Sequence, residues 1–158
     1  MSASAYALDY TVGGGLNGTS TVSGPTNASY NGLNVPCNAS FTVSDSAGSG
    51  SVTGASFSGS SSCTAIRACN LPWSIGKPLA SAGTTNNTRI SGVCVYIPSP
   101  INQTCTGIVT GTLKSGGTFT FTGSLAPSSG VGICGVNSRI VNPTYPNGLV
   151  SSPVLGIL

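Results

Sequence analysis

Residues 105–125 read CTGIVTGTL, then KSGG, then TFTFTGSL. Ile108, Val109 and Leu113 lead into the turn, and Phe119, Phe121 and Leu125 lead out of it. The second arm alternates apolar and polar residues, which places Phe119 and Phe121 on one face of a strand. Lys114-Ser115-Gly116-Gly117 is turn chemistry, because glycine reaches the positive φ angles that tight hairpins use. The stretch is a β-hairpin, and it sets the expectation for the rest of the chain.

Reading outward, Arg89 to Pro98 carries Ile90, Val93, Val95 and Ile97 with Cys94 and Tyr96, apolar on both faces like a central strand. Cys37 opens another strand with Phe41 and Val43 on one face. Asp45 to Gly50 reads as a hairpin loop, and residues 51–58 return with Thr53, Ala55 and Phe57 together. Val136 to Val141 adds a strand, and the tail from Leu149 to Leu158 is too apolar to float free. Residues 64–69 read as a short strand or one helical turn. Residues 16–36, with Asn-Gly at 17–18 and 31–32 and prolines at 25 and 36, read as loop. No segment keeps a 3.6-residue period. The expected fold is all-β: an antiparallel β-sandwich, jelly-roll-like, of about seven to nine short strands.

The N-terminal stretch is set apart. Tyr6, Leu8, Tyr10 and Val12 alternate with polar or small residues, and Gly13, Gly14 and Gly15 follow as a flexible joint. Residues 1–15 form a strand plus joint, and residues 16–158 form the β domain. The strand either pairs within its own domain or completes the sheet of a second copy, giving a filament by strand donation.

Composition narrows the function. Charged residues are 4% of 158, against about 25% in ordinary domains. The net charge of +3 is too thinly spread for a basic patch, so nucleic acid is not an expected partner. The six cysteines (Cys37, Cys63, Cys69, Cys94, Cys105 and Cys134) occur without any histidine. No pair has zinc-ligand spacing, so the expectation is disulfides in an oxidising compartment, with many connectivities open. Residues 1–12 lack the pattern of a secretory leader, so the chain reads as a mature, secreted protein. No apolar run is long enough for a membrane-spanning helix.

Catalytic chemistry finds little to use. Asp9 and Asp45 are the only carboxylates among the side chains, and both read as solvated. Without histidine, Ser–His and Cys–His nucleophiles are excluded. Lys77 near Ser74 and Lys114 before Ser115 are ordinary loop lysines. No cofactor, metal or enzymatic activity is expected. Trp73, the only tryptophan, follows Leu71-Pro72 between Cys69 and Ile75. It is either a core plug or a stacking platform for a ligand.

Several segments together resemble a known family. They are Cys37-Asn38-Ala39-Ser40-Phe41-Thr42, Gly54-Ala55-Ser56-Phe57-Ser58-Gly59, Cys63, Asn70-Leu71-Pro72-Trp73-Ser74-Ile75, Cys105-Thr106-Gly107 and the Gly132–Ser138 region around Cys134. Their layout over roughly residues 35–140 resembles the small secreted bacterial activators of alkane oxidation, the PraB-like family. Cys69, Cys94 and the N-terminal strand stand outside that pattern. The resemblance implies an exported protein of the cell surface or biofilm matrix, and it carries no catalytic residues over. The sequence thus points to a secreted structural protein that polymerises with itself through residues 5–12. The alternative is a secreted binding module, with Trp73 at a site for carbohydrate or an apolar, alkane-like ligand.

Overall fold

The structure, a computed structural model, describes residues 8–139 and 148–158. Among them the chain runs β1 (Tyr10–Val12), β2 (Gly18–Tyr30), β3 (Leu33–Ser46), β4 (Ser49–Ser58), α1 (Ser61–Thr64), β5 (Arg67–Ala68) and β6 (Trp73–Ile75). It continues with β7 (Thr88–Ile97), β8 (Gln103–Leu113), β9 (Thr118–Pro127), β10 (Cys134–Ser138), β11 (Leu149–Ser152) and β12 (Leu155–Ile157). The hairpin at residues 105–125 is present as β8 and β9, paired from Cys105↔Pro127 to Leu113↔Phe119.

The sheet is a closed barrel of eight strand positions, not the expected sandwich or jelly roll. Seven positions are β2, β3, β4, β6, β7, β8 and β9, each antiparallel to its neighbour. Two short strands share the eighth. β10 bridges Leu125–Thr122 of β9 to Ser29–Thr26 of β2, and β11 bridges Phe119–Thr118 to Ser23–Thr21. Closure gives every strand of the ring a neighbour on both sides, although β6 pairs with β4 at only three positions and with β7 at two.

The closure depends on β2, which lies where the sequence reads as loop. It pairs with β3 over thirteen positions, from Gly18↔Asp45 to Tyr30↔Leu33. Val22, Thr26, Ala28 and Tyr30 form its buried row, a period of two hidden by the Asn-Gly dipeptides and prolines around it. Pro25 is tolerated because its N and C=O share one edge of the strand. Its carbonyl accepts from Arg139 N at 3.0 Å, so the missing N–H faces the junction where β11 gives way to β10.

Two bulges correct the reading of faces. The register of β3 with β4 shifts at Thr42/Val43, so Val52 is buried and Thr53 exposed. That of β7 with β8 shifts between Ile90 and Val93, where Gly92 has φ +74°. Beyond the bulge Val93, Val95 and Ile97 face inward, while Tyr96 is exposed. The strand expected from Val136 to Val141 is described only to Ser138, and Ile140 and Val141 lie outside the described residues.

The six cysteines form three disulfides, Cys37–Cys63, Cys69–Cys94 and Cys105–Cys134. Each closes a loop of 25 to 29 residues, which contributes about 3 kcal/mol by restricting the unfolded chain. They suit a compartment outside the cytoplasm, extracellular or periplasmic. Ser60 caps α1, its Oγ accepting from Cys63 N at 3.2 Å. Among the described residues no helix is long and apolar enough to cross a membrane.

The N-terminal strand is paired within its own chain. Tyr10↔Ile157, Thr11↔Gly156 and Val12↔Leu155 make β1 and β12 a two-stranded ribbon. Asp9 N donates to Leu158 O at 3.1 Å, and Leu158 N to Asp9 O at 2.9 Å. Gly13 and Gly14 take φ +58° and +87°, and Val12 and Gly15 exchange N–H···O bonds of 2.8 and 3.1 Å. The triple glycine is therefore a tight turn rather than a slack joint. Tyr10 and Val12 are buried and Leu8 half-buried, while Tyr6 lies outside the described residues.

Glycines make room inside the barrel. A Cβ on Gly111 would overlap the Phe119 ring and stand 2.6 Å from Thr120 O. On Gly54 it would meet nothing closer than Thr42 Oγ1 at 3.4 Å. Gly111→Ala should therefore lower the unfolding free energy by about 1–3 kcal/mol. Gly54→Ala should leave it within about 0.5 kcal/mol. Urea denaturation of both variants checks the pair.

Candidate functional site

The barrel interior holds a cavity of about 120 Å³. Inward rows of β2, β3, β4 and β7 supply most of its wall, and the wall is almost wholly apolar. Phe41 stands at the centre of an aromatic group. Its ring lies 6.0 Å from Phe57 and 6.5 Å from Phe121, both edge-on, and 6.4 Å from Trp73 at a tilt of 52°. Phe119 stacks on Phe121 at 6.1 Å. Edge-to-face and offset rings at these distances attract beyond their area burial, so they hold one another in place around the void.

Trp73 is buried at the start of β6, and its Nε1 donates to Cys69 O at 2.9 Å. The indole is thus a core residue whose face lines the cavity, and the Cys69–Cys94 disulfide fixes the carbonyl that anchors it. Of the two readings of Trp73, the core plug is the one its burial shows.

The two ends differ. At one, Cys37–Cys63 and Cys105–Cys134 tie the strands covalently, and Ile66 behind α1 joins the core. The β1–β12 ribbon covers the other, lying against the β3–β4 turn, where Tyr10 N donates to Gly48 O at 3.0 Å. Tyr10, Val12 and Leu155 enter the core from it.

This ribbon end brings together both aspartates and Lys77. Asp9 makes an ion pair with Lys77, whose Nζ also reaches Ala47 O at 3.5 Å. Asp45, expected to be solvated in a hairpin loop, is instead 3% exposed. It continues the inward row Phe41–Val43–Asp45 near the end of β3, and it is one of the residues that line the cavity. The alternation in residues 41–45 was the signal for this, masked by the loop-like composition that follows.

Most polar groups on the wall have partners. Tyr10 Oη donates to Thr88 Oγ1 at 3.2 Å, Thr88 Oγ1 donates to Asn87 Oδ1 at 3.1 Å, and Thr26 Oγ1 donates to Cys37 O at 3.2 Å. Neither carboxylate oxygen of Asp45 has a hydrogen bond of good geometry, because the nearby Gly48 N–H is given to Leu16 O at 3.0 Å. Burial pushes the Asp45 carboxyl above the ordinary value. Lys77 pulls it back, Asp9 adds to the rise, and the Gly48 backbone N–H lowers it slightly. Burial likewise raises the Tyr10 hydroxyl, against the bond to Thr88. Among the described residues no group of three or more His, Cys, Asp or Glu could hold a metal ion.

A carboxyl raised on folding binds protons more tightly in the folded state. Its stabilisation is full below the unfolded value of about 3.9 and is lost as pH rises through the folded value. Wild-type stability should fall relative to Asp45→Asn between about pH 4 and pH 7, because the amide has nothing to ionise. Denaturation curves of both proteins at the two pH values test this; parallel behaviour would mean that Asp45 is not held in an unfavourable site.

The family model described as alkane oxidation protein activator PraA/PraB-like matches residues 1–147. The match takes in β1 and the triple glycine, beyond the roughly 35–140 over which the motifs alone resemble such proteins. No curated protein and no solved structure matches.

Proposed function

The chain belongs to the alkane oxidation protein activator PraA/PraB-like family, and from that membership and its hollow apolar interior we propose that it binds an aliphatic chain inside the barrel. The carrying observation is the cavity. Protein interiors are close-packed, with few voids larger than a water molecule. An empty apolar cavity of about 120 Å³ costs roughly 3 kcal/mol of stability at the usual rate per unit volume. A ligand of matching chemistry offsets that cost. Eight-stranded barrels are wide enough for one small ligand. A dry apolar cavity of about 150 Å³ takes benzene, so one of about 120 Å³ suits a short aliphatic chain.

The reading is of a binding protein rather than an enzyme, since the sequence has no histidine and only two side-chain carboxylates, one of them ion-paired. Outside the cytoplasm such a protein would meet hydrocarbon before a cell takes it up. Strand donation into a filament is the other reading of residues 5–12. It would require β1 to leave β12, and Tyr10 and Val12 to leave the core, so the cis pairing favours the self-contained barrel.

Titration with n-hexane should change the Trp73 fluorescence saturably, because this single indole lines the cavity. Val52→Phe, which places a larger ring on the wall, should weaken binding at least tenfold, or about 1.4 kcal/mol. A fluorescence spectrum unmoved by hexane, in a protein shown to be folded, would sink the proposal.

A further inference from the structure

We propose that Asp45 receives the hydroxyl head of a primary aliphatic alcohol whose chain lies in the barrel cavity. The inference rests on the apolar-cavity reading and deepens it by naming the ligand's polar end. Asp45 is 3% exposed and lines the cavity, and neither carboxylate oxygen has a hydrogen bond of good geometry. The hydroxyls of the other wall residues, Tyr10, Thr88 and Thr26, already donate within the protein. Asp45 is thus the wall group whose accepting capacity is least used, at one end of a mainly apolar space. A buried acceptor without a donor is unfavourable, and a ligand that brings the donor removes the penalty.

The surrounding charges choose among donor heads. The groups acting on Asp45 are Asp9, which precedes β1, Lys77, which follows β6, and the backbone N–H of Gly48 in the β3–β4 turn. A fatty carboxylate would put a third anion beside two carboxylates and one lysine, so it is disfavoured. An alkylammonium would have to shed its hydration beside the Lys77 cation, which already offsets Asp45 from the outer side. An alcohol brings a donor at no charge. Burial favours the protonated carboxyl, and in that form Asp45 can also donate to the alcohol oxygen. An alkane fills the same space and leaves Asp45 unpaired. Specificity of this kind, against an analogue that lacks the hydroxyl, is strong wherever the site holds a buried polar group.

The test compares hexan-1-ol, n-hexane, hexanoate and hexylamine at pH 7 by Trp73 fluorescence and by NMR shifts of cavity-lining residues. The wild type should bind hexan-1-ol at least tenfold more tightly than hexane, and both more tightly than hexanoate. Asp45→Leu should reverse the order, binding hexane at least as well as the alcohol, while Asp45→Asn, which keeps hydrogen-bonding capacity, should retain the alcohol preference. Equal affinity for alcohol and alkane in the wild type and in Asp45→Leu overturns the role of Asp45 and leaves the apolar cavity standing. Tighter binding of hexylamine or hexanoate than of hexan-1-ol overturns the alcohol assignment. Failure of all four to bind the folded wild type overturns the cavity reading, and this inference with it.

Discussion

Closure of the sheet through β2 is the constraint on which the structure depends. Thirteen pairs to β3 on one edge, and the two short strands β10 and β11 on the other, turn a row of hairpins into a ring. A strand edge left open would expose unpaired N–H and C=O groups. Eight positions also fix the interior width at a value that side chains nearly fill. Gly111 and Gly123 then decide how the aromatics sit. A Cβ at Gly123 would come within 2.8 Å of Val109 Cγ2, and one at Gly111 would displace Phe119. The rings crowd one part of the lumen, and a void remains beside them.

The ends of the ring are held by different physics. Two disulfides and the capped turn of α1 secure one end against anything short of reduction. The other is covered by a ribbon of two three-residue strands, anchored by backbone hydrogen bonds and by the largely solvated Lys77–Asp9 pair. An exposed ion pair of this sort is worth at most about 1 kcal/mol. Local opening is therefore cheaper at the ribbon than at the disulfide end. Asp45 lies under that ribbon, so the buried side-chain acceptor that lacks a well-formed hydrogen bond among the described residues sits at the less strongly fastened end of the cavity.

Much of the chain was legible because its strands obey a period of two. β3, β4, β7, β8 and β9 each show an apolar row flanked by turn residues, and Gly92 marks the bulge in β7. β2 was not legible. Its inward row includes Thr26 and Ala28, its outward row is Ser, Thr and Asn, and Pro25 breaks the pattern. Only the presence of β3 on one side, and of the β10–β11 junction on the other, makes a strand of it. Asp45 was misread for a related reason. Composition assigns an aspartate before Ala47-Gly48 to solvent, whereas β3 runs further than its apolar residues do and carries the carboxyl inward.

By itself the sequence determined an all-β, disulfide-linked protein with almost no catalytic side chains, because alternation, cysteine parity and the absence of histidine are properties of the chain alone. The tertiary structure decided that the sheet closes, which cysteines pair, that β1 is held by β12, and that Asp45 faces a hollow interior. Those facts depend on which distant segments meet. The pairing of residue 18 with 45, or of 10 with 157, is set by the energy of the whole ring and not by any local pattern.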